Sequence, residues 1–189
     1  MSQTVAILPG IFSGLRTTRR LRKLLRRAGY QIITDTMMAD IILAHSAGPL
    51  WLPQTSDHQT IVLVNPPYWP GRTIRERARD RLHSNLRFYE RGVPLRYWLA
   101  RQFWGTYYVL RNPRRTHYVL RNMSTYDLQA TLKSGKVVLV RSQLDDWLTP
   151  DLDGLKRAYP KLIVIELPGD HDDFNYHPEH YVELLQSLI

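Results

Sequence analysis

The sequence predicts an α/β protein: a mostly parallel sheet of about six strands flanked by helices, with a helical cap inserted before the fifth strand. Two observations carry this. Six short, continuous, β-branched apolar runs recur along the chain, each bounded by Gly, Pro or polar residues. Strands buried on both faces of a parallel sheet read this way, because neither face meets water. Between the fourth and fifth runs the pattern changes to apolar residues at helical spacing among arginines.

The first strand is "TVAILPG", Thr4 to Gly10, stopped by Pro-Gly. From Leu15 to Ala28, the residues Leu15, Leu21, Leu24, Leu25 and Ala28 recur at helical spacing, and Gly29 ends that helix. "YQIIT" (30–34), "DIILAHS" (40–46) and "TIVLVNPP" (60–67) are strands two to four. "KVVLVRSQ" (136–143) and "KLIVIELPG" (161–169) are five and six. Pro178 opens a last helix with Tyr181, Leu184, Leu185 and Leu188 on one face.

The segment 70–130 is expected to form the cap, within a single domain spanning 1–189. "RTIRERARDRLHSNLRFYERG" reads as a polar helix closed by Gly92. A second helix carries Leu95, Trp98, Leu99, Gln102, Phe103, Thr106, Tyr107 and Leu110, and Asn112-Pro113 ends it. The repeated "YVLRN" (108–112 and 118–122) is too short for a repeat architecture.

Length and composition bound the function. A chain of 189 residues, 43% hydrophobic and 23% charged, can bury a full core as one domain. With no cysteine, disulfides, thiolate metal sites and thiol redox chemistry are excluded. No apolar run approaches ~18 residues, and "MSQTVAILPG" lacks a basic n-region and a long h-region. A cytoplasmic location without a signal peptide is the resulting expectation. Charge is unevenly laid out. Residues 70–121 hold 13 Arg against Glu76, Asp80 and Glu90, a net of +10, and 16–27 adds seven basic residues and no acid. Residues 137–189 carry ten acids. A basic face of this kind fits an anionic partner or lipid surface, and equally a solvated arginine coat.

The chemistry concentrates in "AHSAG". A strand that leaves for a helix within one or two residues holds its serine in a strained backbone conformation. The hydroxyl then projects from the sheet edge, and the small neighbours Ala44, Ala47 and Gly48 keep the turn from clashing. Such a serine needs a base, and the base needs a carboxylate that fixes its tautomer. Asp145 and Asp146 follow the fifth strand and His171 follows the sixth. All three positions fall at the C-terminal ends of parallel strands, where open α/β sheets place their sites.

On these residues the chain resembles the α/β-hydrolase family over almost its whole length, most closely the small bacterial serine hydrolases with abbreviated folds. The order Ser, Asp, His is that family's order. "AHSAG" resembles its nucleophile elbow, with Ala44 where the usual pattern has Gly. The resemblance implies Ser46 as nucleophile, with Ile11 (in "ILPGIFSG") and Ala47 lending the oxyanion-hole amides. "VLVRSQLDDWLTP" resembles the family's Asp loop, and the register of Pro150 selects Asp146 over Asp145. "LPGDHDDF" resembles its His loop, with His171. The implied activity is that of a serine carboxylesterase, lipase-like or thioesterase variants included, on a small-molecule ester and without a cofactor. Phe12, Trp51, Trp69, Trp98 and Trp147 are the expected pocket residues.

Two departures bear on the fold. Only Asp35–Ala39 link strands two and three, too few for a crossover helix. Pro49 and Pro53 leave little more than a turn after Ser46. His45 reads as a packing residue. No metal site is expected from His171, Asp173, His177 and His180, since Pro178 starts a helix that turns the later histidines away and no H-E-x-x-H spacing occurs. Two other classes of function stay open: a catalytically silent binding protein on the same fold, and a surface-interaction protein in which the triad is incidental. The arginine-rich 16–27 lacks the interleaved aromatics of a nucleic-acid groove.

Overall fold

The computed structural model describes residues 2–10, 17–52, 57–66, 95–123, 136–145 and 152–188, together with 76 and 79. Six strands form one wholly parallel sheet: β1 (Thr4–Leu8), β2 (Gln31–Ile33), β3 (Ile41–His45), β4 (Thr60–Val64), β5 (Lys136–Ser142) and β6 (Ile163–Leu167). Their order is β2-β1-β3-β4-β5-β6. The helices are α1 (Arg19–Arg27), α2 (Leu95–Arg111), α3 (Pro113–Met123), α4 (Leu152–Ala158), α5 (Asp173–Tyr176) and α6 (Pro178–Ser187).

Period-two alternation sorts the strand residues onto two buried faces. On one, Ile41, Leu43, Val62, Val64, Val138 and Val140 pack with Leu21 and Leu25 of α1 and Tyr181, Leu184 and Leu185 of α6. On the other, Ala44, Ile61, Leu63, Val137 and Leu139 gather Leu152 of α4 with Tyr159 and Leu162. Every residue of β3 is buried, which is why Ile41–Ala44 are continuously apolar.

The missing crossover helix has a geometric explanation. Strand β2 is only three residues long and ends at Ile33 level with Ala6, while β3 starts at Ile41 level with Val5, so the link climbs back only about one residue, ~3 Å, as it crosses β1. A 3₁₀ turn at Thr36–Met38 does this, with the Asp35 carboxylate accepting from the Met37 amide at 2.9 Å. The buried Gln59 side chain donates to the carbonyls of Thr36 and Ala39 at 2.7 and 2.8 Å, satisfying the link. Asp40 then ties it to β1, accepting from the Thr4 amide and hydroxyl at 2.7 and 2.8 Å.

Helix α2 is described from Leu95 and stops before Asn112, where its spacing predicts the end. Pro113 does more than end it. It opens α3, because proline at the first helical position sacrifices only an amide that has no intrahelical acceptor. The predicted start of α1 at Leu15 and the polar helix over 72–92, apart from 76 and 79, lie outside the described residues. Among the described residues no helix is long and apolar enough to cross a membrane.

Candidate active site

Parallel strands deliver their C-terminal ends to one edge of the sheet, and the order reverses between β1 and its neighbours. That reversal opens the crevice in which such sheets place a site. Gly10 leaves β1 there and Ser46 leaves β3 beside it. Ser46 has φ 52°, a left-handed conformation costly for any residue with a Cβ. Its amide still donates to the Val64 carbonyl at 2.8 Å, so the sheet ladder holds the strained residue in place. A 3₁₀ turn, Gly48–Trp51, follows immediately, as the prolines foretold. Gly48 is obligatory, because a Cβ there would lie 2.2 Å from the Leu8 carbonyl oxygen. Gly10 approaches from the other side, where an added Cβ would stand 2.9 Å from the Ser46 Cβ and 3.3 Å from its Oγ.

The three polar groups meet in one chain of hydrogen bonds. His171 Nε2 lies 3.0 Å from Ser46 Oγ, and His171 Nδ1 lies 2.9 Å from Asp145 Oδ2. Ser46, His171 and Asp145 are all buried. With Nδ1–H donated to the carboxylate, the Nε2 lone pair faces the serine hydroxyl, the tautomer a general base requires.

The carboxylate that meets His171 in the structure is Asp145, where the resemblance implied Asp146. Strand β5 ends at Ser142, whose carbonyl accepts from the Asp145 amide at 3.1 Å and closes a turn. The Gln143 and Leu144 amides donate to Leu167 and Gly169 at 3.0 and 2.9 Å, stitching this turn to the loop that carries His171. The Asp145 side chain, with no exposed surface, is thereby the one aimed at the imidazole. Asp146 itself lies outside the described residues, as do Ile11, Phe12, Trp69 and Trp147.

His45, which the sequence reads as a packing residue, and Asn65, which that reading passes over, support this arrangement. His45 is fully buried and stacks on Phe174, ring centroids 4.5 Å apart and 3° from parallel. Burial above all, and then the neighbouring His171, depress its pKa from 6.5 to about 4, so it is neutral near neutral pH. Its Nε2 lies 2.9 Å from the His171 backbone carbonyl and donates to it. Asn65, the residue after β4, has φ 44° and is buried. Its Oδ1 accepts from the Ser142 amide at 2.8 Å and its Nδ2 donates to the Ser142 hydroxyl at 2.9 Å. Asn65 thus clamps the strand end from which the Asp145 turn departs. The signal was present in "VNPP", since asparagine tolerates the left-handed region and often stands where a strand must turn sharply.

The remaining expectations sort by position. Ala47 is buried against Val119 of α3, with Leu50, Trp51 and Tyr108 around them. Trp51 stacks on Tyr118 at 5.2 Å and lies under the Arg115 guanidinium at 4.9 Å, so it pins α3 to the turn after Ser46. Trp98 is half-buried on α2. In the C-terminal cluster His180 bonds Asp173 at 3.0 Å and stacks with His177, whereas His171 turns to Ser46. Among the described residues no group of three or more such side chains could hold a metal ion.

This sheet order, with a left-handed serine after β3 and an Asp–His pair after β5 and β6, is the α/β-hydrolase fold in reduced form. Solved structures share it. The chain is similar to a bromoperoxidase from Bacillus anthracis with a TM-score of 0.67 and 14% identity, covering 98% of this chain and 91% of that one. An esterase from Exiguobacterium antarcticum gives 0.66 at 13% identity, covering 99% and 91%. The enol-lactonase from Burkholderia xenovorans gives 0.65 at 11%, also covering 99% and 91%. No protein-family model matches the sequence, and no curated relative does.

Proposed function

We propose that the protein is a serine hydrolase that cleaves a carboxylic ester of a small molecule through an acyl-enzyme. The observation that carries the reading is the unbroken chain from Ser46 Oγ through the His171 ring to the Asp145 carboxylate, two contacts of 3.0 and 2.9 Å. The esterase and the enol-lactonase among the structural neighbours accord with it.

In this reading Ser46 Oγ attacks the acyl carbonyl while its proton passes to His171 Nε2. The Asp145 carboxylate stabilises the imidazolium that forms. The Ala47 and Ile11 amides receive the developing oxyanion, each donor contributing about 10²–10³ in rate. His171 then protonates the departing alcohol. Water, activated by the same imidazole, releases the acid and restores Ser46.

Fluorophosphonate labelling tests this directly. The wild-type chain should be labelled and should hydrolyse p-nitrophenyl acetate, and Ser46→Ala should lose both. An unlabelled wild type would point to a silent binding protein on the same fold, and a Ser46→Ala variant that hydrolyses the ester as fast as wild type would remove Ser46 from the mechanism.

A further inference from the structure

Helices α2 and α3 leave a surface that the proposed chemistry does not use. On α2, Leu95, Leu99, Phe103, Tyr107 and Leu110 are 56%, 52%, 65%, 45% and 76% exposed. At 100° per residue the five fall within an arc of about 120°, a single apolar stripe along a helix about 25 Å long. Folding alone does not account for such a stripe, because a helix ordinarily turns its apolar arc to the core.

Charge says what covers it. Residues 95–123 contain six arginines (96, 101, 111, 114, 115 and 121) and no acid. Arg96 falls inside the stripe's arc. Arg111 lies at its edge, its guanidinium 5.9 Å from the Tyr107 ring centroid. A second copy of this chain is a poor occupant, since it would set arginines against arginines. Nucleic acid satisfies the arginines but leaves three exposed leucines facing phosphate and solvent. A bilayer rich in anionic lipid offers both complements at one depth: headgroup phosphates for the arginines, and acyl chains for leucine and phenylalanine. We propose that the α2 stripe docks the protein on anionic membrane surfaces. Helix α3, which follows α2, packs on the body through Val119 against Ala47.

This proposal is independent of the hydrolase reading, and its test reads binding alone. The full chain is co-sedimented with phosphatidylserine–phosphatidylcholine vesicles and with pure phosphatidylcholine vesicles. The chain should partition onto the anionic vesicles, bind the neutral ones at least about tenfold more weakly, and be released as salt screens the arginines. Phe103→Glu with Leu110→Glu, both on exposed positions, should lower partitioning by tenfold or more. Arg111→Glu with Arg114→Glu should do the same, and Ser46→Ala should bind like wild type. Absence of binding to anionic vesicles at low salt overturns the proposal, as does undiminished binding by the stripe variant. Sedimentation velocity showing a dimer that the stripe variant dissociates would assign the face to a second copy instead. A single-stranded oligonucleotide that displaces the chain from vesicles would assign it to nucleic acid.

Discussion

The imidazole of His45, the residue before the serine at the sheet edge, donates its Nε2–H to the backbone carbonyl of His171 across 2.9 Å. One ring thus joins the strand that carries Ser46 to the loop that carries His171. Replacing His45 with Phe keeps a ring against Phe174 but removes the donor, and one such bond contributes about 0.5–1.5 kcal/mol. We expect kcat on p-nitrophenyl acetate to fall up to about tenfold with KM nearly unchanged. A change confined to KM would remove His45 from the positioning of His171.

The same burial makes His45 an acid-sensitive point. Its pKa is 6.5 in the ordinary state and about 4 when folded. Below pH 6.5 the unfolded chain therefore takes up a proton that the folded chain refuses. Stability falls as pH drops from 6.5 towards 4, by about 3 kcal/mol at most for this group. Urea unfolding across that range should show a shallower loss for His45→Phe than for wild type. Parallel curves for the two proteins would contradict the assignment.

Asp145 and Asp146 are neighbours with opposite expected consequences. Asp145→Asn would present an amide to Nδ1 and favour the wrong tautomer, at a cost of about 10³–10⁴ in kcat. Asp146→Asn should leave kcat/KM within about twofold of wild type, as for a substitution outside the hydrogen-bonded chain. The reverse ranking would reinstate the register counted back from Pro150.

At Gly10, alanine would set a methyl carbon 2.9 Å from the Ser46 Cβ, closer than real contacts allow. Something must move, and Ser46 is already strained at φ 52°. Gly10→Ala should cost about 1–3 kcal/mol in urea unfolding and slow fluorophosphonate labelling by tenfold or more. Labelling at the wild-type rate would show that the loop after β1 yields without disturbing the serine.

Asn65 separates two contributions that usually travel together. Asn65→Ala and Asn65→Gly both leave the buried Ser142 amide without its side-chain acceptor, worth about 1–3 kcal/mol. Only alanine adds the left-handed penalty of about 1–2 kcal/mol. Glycine should therefore be the milder of the two by about that amount in thermal or urea unfolding. Equal costs would mean that the backbone relaxes out of φ 44° once the clamp is lost.

By itself the sequence determined the features that local pattern dictates. Continuous β-branched runs specify strands buried on both faces, as in Ile41–His45, and small residues after an apolar run specify a tight elbow at Ser46. Pro49 limits the turn behind it, and the chain order Ser, Asp, His reflects which strand each residue ends. Only the tertiary structure brings Asp145 against His171. Which of two adjacent carboxylates faces an imidazole depends on where the chain turns, and hydrogen bonds to a loop some 25 residues away fix that turn at Ser142. The same reason hid the contacts of Asn65, His45 and Gly10. Each matters through an atom of a residue distant in sequence, Ser142, His171 and Ser46 respectively, and no periodicity or spacing encodes such a contact before the sheet brings the strand ends together.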